Sequence, residues 1–259
     1  MNPLDAVIDE LENLVAKTLA GSIAPIRIGY FASLYLRVTC TIRKKLGTGY
    51  FDDDARMERL DAAFAARYLA AIKAFVGQSP TLDAGWATAL QATDDASLLV
   101  VQQLLLSMNP HINLDLAQAA VETCPGPLLA PLHDDFMKIT TVLEGIIPTT
   151  VAEIGGLSPL IGLLNYFDDR GEIEVLNFAM SEARSAAWAW ATQLNALPPE
   201  RRAGEISIMN RAIAALGQKI RNPGFVLGRV VGIVKSLESN DAAAVIGVLD
   251  SGNPTLVLT

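Results

Sequence analysis

Apolar residues recur along this chain three and four positions apart, and stretches alternating with a period of two are missing. Leu4, Val7, Ile8, Leu11, Leu14, Val15 and Leu19 share one face and predict a helix over residues 4–20. Pro25 is expected to open a second helix that runs through YFASLYLRVTCTIRKKL to Gly47. GTGYFDDD reads as a turn whose aspartates lead into the long helix ARMERLDAAFAARYLAAIKAF, which ends at Gly77. After the connector GQSPTLDAGW and a short helix, Asp94 or Asp95 is placed to cap ASLLVVQQLLLSM. Asn109-Pro110 then predicts a stop and a restart, with Asn109 as cap and Pro110 first in a helix over 110–123.

Beyond CPGP the pattern predicts a helix over 128–147. IPTTVAEIGGLSPLIGLLNYF, broken by Pro148, Gly155-Gly156 and Pro159, is expected to be a loop with short helical turns. DDRGEIEVLNFAMSEARSAAWAWATQLNAL is the longest uninterrupted helical pattern. Pro198-Pro199 separates it from ERRAGEISIMNRAIAALGQKIRN, and a last helix runs from about Pro223 to Leu237. The tail DAAAVIGVLDSGNPTLVLT reads as one more helical turn and an extended end. No repeat, low-complexity tract or linker divides the chain. The expectation is one compact, bundle-like all-α domain spanning residues 1–259.

Composition adds limits on partners. Of the 259 residues 51% are hydrophobic and 19% charged, enough apolar material for a large core. Twenty basic against 28 acidic side chains give a net charge of −8, and the densest basic run, Arg43, Lys44 and Lys45, falls at an expected helix end. Nucleic acid is therefore not an expected partner, since a binder needs a concentrated basic face. Cys40 and Cys124 are far apart and share no CxxC spacing, as in a reduced, cytoplasmic protein. The N-terminal stretch is acidic and amphipathic, unlike a secretory signal. Mean hydropathy is high at +0.33. No apolar run reaches the ~18–20 residues that cross a bilayer, and Gln102 and Gln103 interrupt the longest. The apolar excess thus belongs to an interior, or to helix faces that join copies into a homo-oligomer.

Several chemistries have no motif here: GxxxxGK[ST], GxSxG and HExxH are absent, and neither histidine has a glutamate three residues earlier. DDRGE (Asp168, Asp169, Glu172) resembles the DDxx[DE] motif of all-α terpene cyclases. Its magnesium-binding companion does not follow, because NFAMSEARS puts Ser185 where a glutamate is needed. Acids at a helix start, here and in FDDDARME, are expected to cap free N–H groups.

The remaining candidate centre is SMNPHINLDLAQAA. On a helix His111 and Asp115 share a face, and a carboxylate beside an imidazole fixes its tautomer and makes it a better base. The structural alternative is equally concrete: a capped helix start with a well-satisfied core histidine.

LYLRVTCTI, MERLDAAFAARYLAA, LLLSMNPHINLDLAQA, LHDDFMKITTVL and EARSAAWAWATQL follow one another with helical spacers. Over roughly residues 28–195 this order resembles the family catalogued as domain of unknown function 5995, with a hallmark like M-N-x-H-I-N-x-D-L. Pro110 stands where that hallmark has a small residue such as alanine. The resemblance implies a fold and a set of positions rather than an activity: Arg37, Asp61, Arg67, Tyr68, Asn109, His111, Asn113, Asp115 and Asp135. Arg37 and Asp61 interrupt apolar segments and would be costly to bury unpaired, so they are expected to meet His111 and Asp115 inside.

Two functions follow. In one, an enzyme acts on a small, partly apolar molecule. His111 with Asp115 serves as general acid or base and Tyr68 as second proton donor. Arg37 or Arg67 takes an anionic group, with Asn109, Asn113 and Asp61 also on the substrate. No cofactor is expected, and a variant places a divalent metal on His111, Asp115, Asp61 and Asp135. In the other, the same residues form a buried lock in a helical interaction or oligomerisation domain.

Overall fold

The computed structural model describes residues 3–158 and 172–250, and every regular element among them is helical. The first apolar stripe becomes α1 (Pro3–Leu19), with Leu4, Leu11 and Val15 turned into the core. It lies along α2 (Ile28–Lys45), whose last turn carries Arg43, Lys44 and Lys45 over the free carbonyls. Gly29 lets these helices and α11 (Ala242–Asp250) approach closely: a Cβ there would stand 2.7 Å from Thr18 Oγ1 and 2.6 Å from Ile246 Cδ1. α3 (Asp54–Val76) starts on Asp53, whose carboxylate accepts the Arg56 N–H at 2.9 Å, the capping role expected of FDDDARME.

Around these stand α4 (Ala84–Gln91), α5 (Val100–Pro110), α6 (Leu116–Thr123), α7 (His133–Leu157), α8 (Glu172–Ala196), α9 (Pro199–Arg221) and α10 (Phe225–Leu237). α5 and α6 are continuous through a π-helical turn, His111–Asp115, so Val100–Thr123 forms one rod in contact with α2, α3, α4, α8 and α9. Residues on all its sides are buried, as a central helix requires.

Three local expectations change. The helix does not restart at Asn109-Pro110. Pro110 cannot donate to Leu106, but the His111 N–H reaches the carbonyls of Ser107 and Met108, and the Leu116 N–H reaches the carbonyl of His111 five residues back. The widened turn absorbs the proline, and Asn109 is not a cap.

Neither Asp94 nor Asp95 starts α5. Asp95 instead accepts from Ser97, and the α5 amides of Leu99 and Val100 are met by the side chains of Gln102 and of distant Glu238. Finally, α7 begins later than expected, after short 3-10 turns at Gly126–Leu128 and Ala130–Leu132, and runs on through Pro148 to Leu157. Ile146, Thr150 and Ile154 form its buried stripe, and packing that stripe against α2, α8 and α11 outweighs the lost proline hydrogen bond. The segment from Pro159 on, together with Asp168 and Asp169, lies outside the described residues.

Candidate functional site

The central rod places His111 at the crossing of α2, α3 and α4, inside a set of aromatic rings. Its imidazole stacks on Phe64 at 3.7 Å between centroids and meets Tyr35 edge-on at 4.5 Å. Phe31, Tyr68 and Trp86 complete the ring set. Neither His111 ring nitrogen has a hydrogen-bond partner among the described residues, and the side chain is only 3% exposed. Asp115 is 3.9 Å from Nδ1, too far for a hydrogen bond. Its Oδ2 instead accepts the Trp86 indole N–H at 2.8 Å. Burial lowers the His111 pKa, and the nearby Asp115 carboxylate does not reverse that, so the ring is neutral near pH 7.

Beside this set a cavity of about 580 Å³ opens between α2, α3, α5, α7, α8 and α9. Its wall is hydrocarbon except for a few groups, chiefly Asp61, Asn109, His111, Asn113 and Arg184. Asn109 Nδ2 donates to the Ile213 carbonyl of α9 at 2.9 Å, and its Oδ1 accepts from Asn113 at 3.1 Å. Gly217 lets α9 lie close to α4, because a Cβ there would come within 3.0 Å of Thr88 Cγ2.

Asp61 is the group whose chemistry the fold alters most. Its Oδ2 is buried without a partner among the described residues, and burial pushes its carboxyl up to about 7 against the pull of Arg184. Arg184 is itself buried and brought down to about 10, with Asp61 acting in the opposite sense. Its guanidinium is tied by Nε to Thr140 Oγ1 at 2.9 Å and by Nη2 to the Phe136 carbonyl at 2.6 Å. The hydroxyls of Tyr35 and Tyr68 are also buried and unpartnered among the described residues, and burial raises both phenols. Asp61 and Asp115 push Tyr35 further in that direction.

The fold therefore gathers His111, Asp115, Tyr68, Asp61, Asn109 and Asn113 around the ring set and the cavity, and leaves three expected members elsewhere. Arg37 is turned toward α7, where Nη1 pairs with Glu153 at 2.6 Å. Arg67 bonds Gln118 and Glu122 near the surface. Asp135 takes the N–H groups of Asp52 and Asp53, Arg56 Nη2 and Lys138 Nζ, which ties the start of α3 to α7. Burial alone would raise its pKa, but these donors hold it below the usual carboxylate range.

The expected metal set loses Asp135 for that reason. Among the described residues no three His, Cys, Asp or Glu side chains converge as ligands. Arg184 and Trp86 were not among the sequence candidates. Arg184 stands among Ser181, Glu182 and Ser185, so nothing local marked either it or Trp86.

Residues 4–223 match the model of DUF5995, a family of unknown function. The chain belongs to that family. The DUF5995 match extends past the 28–195 resemblance on both sides and takes in every residue named on the cavity wall. No curated protein and no solved structure matches the chain.

Proposed function

We propose that the protein is an enzyme performing acid–base chemistry on a small, partly apolar molecule held in the central cavity. Asp61 would be the proton-transferring group, with His111, Tyr35 and Tyr68 beside it. The observation that carries this reading is that a buried carboxyl, an imidazole and the Tyr35 phenol, each unpartnered among the described residues, line one mostly hydrocarbon cavity, with Tyr68 behind them. A carboxyl titrating near 7 is both a competent acid and a competent base at neutral pH. Neutral His111 has one ring nitrogen to donate and one to accept.

Cyclisation, isomerisation, elimination and hydrolysis all need such groups. Arg37 and Arg67, each paired elsewhere, drop out of the substrate-binding set. Cys40 and Cys124 are free thiols, in keeping with a cytoplasmic setting. Self-association stays a proposal: Ile233 and Leu237 on α10 leave more than half of their surface in solvent, and sedimentation velocity reads it.

The test is untargeted mass spectrometry of an organic extract from the producing cells, incubated with wild-type protein or with Asp61→Asn. Wild type should convert at least one hydrophobic component and the variant should not. An extract that neither protein changes ends the enzyme reading.

The stacking of His111 on Phe64 favours a second reading, an aromatic packing lock without catalysis. His111→Phe keeps a ring there and discards both nitrogens. A lock tolerates that change throughout, whereas the enzyme loses turnover while keeping its melting temperature.

A further inference from the structure

We propose that the ligand of the central cavity carries no net charge: a hydrocarbon body ending in one neutral hydrogen-bonding group, such as a hydroxyl or carbonyl. This rests on the cavity reading above and adds the class of molecule. The volume of about 580 Å³ falls in the ~300–1,000 Å³ range of sites that enclose a small molecule. Leu34, Val38, Leu60, Leu104, Ile139 and Ile146 give it an aliphatic wall that offers nothing to an ion.

Among the described residues two buried charged side chains reach that wall, Asp61 and Arg184, and they are opposite in sign. The third, Glu182, is exposed and so belongs to the solvent side. An anionic head group approaching Arg184 meets Asp61, and a cationic one approaching Asp61 meets Arg184. Arg184 is further occupied by Thr140, by the Phe136 carbonyl and by the Phe136 ring, 4.6 Å beneath the guanidinium. An ion entering here loses its hydration without gaining a counter-ion of its own. For a neutral head group the lining residues Asp61, His111, Tyr35, Asn109 and Asn113 carry groups that between them can donate and accept.

The test displaces N-phenylnaphthylamine, an uncharged fluorophore, from the full chain at about pH 8.5, where Asp61 is ionised and Arg184 still charged, with decanol, decanoate or decylammonium. Decanol should compete at least about tenfold more strongly than either ion. Met108→Trp, which narrows the cavity from its wall, should weaken fluorophore binding by about tenfold. Asp61→Asn leaves Arg184 without its balancing charge and should favour decanoate over decanol by about tenfold relative to wild type.

Decanoate or decylammonium outcompeting decanol on wild type would overturn this inference and leave the cavity reading standing. So would an order that Asp61→Asn, folded by its melting curve, does not change. Absence of saturable fluorophore binding, or binding untouched by Met108→Trp, overturns both.

Discussion

Asp61 and His111 place opposite pH dependences within a few ångströms of the same cavity. The folded Asp61 carboxyl titrates at about 7 and its free counterpart at 3.8, so between those values the folded state holds a proton that the unfolded chain has released. Stability from this group therefore falls as pH rises across that window. His111 does the reverse: its folded pKa is below 6.5, the unfolded ring protonates first, and stability falls as pH drops beneath that value. Asp61→Asn should remove the first dependence and leave the second. Its stability relative to wild type should grow by on the order of 3 kcal/mol from about pH 4 to about pH 7, read by urea denaturation at each pH. A difference constant with pH would contradict the buried, proton-bearing carboxyl. Trp86→Phe tests the neighbouring contact. It leaves Asp115 Oδ2 buried without its N–H donor, and should cost ~1–3 kcal/mol while the ring packing is retained.

Prolines mark where helix chemistry and tertiary packing disagree. The spacing of Ile139, Val142, Ile146, Thr150 and Ile154 is helical throughout, yet Pro148 and the glycine pair argued for a loop. Packing decided the matter, because a loop there would leave those side chains no common face to bury. Pro148→Ala restores a backbone donor to Glu144 and should stabilise the protein by about 1–3 kcal/mol, seen as a higher melting temperature. A lower one would mean that the fold depends on the proline itself. Pro110 carries the opposite lesson. It sits in a rod buried on all sides, and the chain answers with a π-helical turn that keeps the rod continuous. That turn, together with the Trp86 indole claiming Asp115, leaves the His111–Asp115 pair at 3.9 Å instead of bonded.

The family match ends at residue 223, but the core does not. Val245, Ile246 and Leu249 of α11 are almost fully enclosed against α2 and α7. Glu238, just beyond α10, supplies the carboxylate that meets the first amide of α5. Ending the chain after Asp241 should therefore cost more than about 4 kcal/mol, since three aliphatic side chains at ~1.5–3 kcal/mol each lose their burial. Thermal unfolding and solubility of the truncated chain read that loss, and an unchanged melting temperature would make α11 an ornament of the fold.

By itself, the sequence determined the helical class, the apolar face of most helices and the suspicion attached to polar residues inside apolar segments. Helical periodicity can do this because it assigns each residue to a face. It does not say which face meets which, and partners are chosen by packing between distant segments. Asp61 was legible as a polar anomaly, His111 by its spacing to Asp115 and Tyr68 only through the family resemblance, and the three lie at the ring set and the cavity. Arg37 carried the same signal as Asp61 and instead found Glu153, while Asp135 became a tie between α3 and α7. Only the tertiary structure could decide that Trp86 would claim Asp115, that Arg184 would balance Asp61, and that Asp61, His111 and Tyr35, unpartnered among the described residues, would line one cavity.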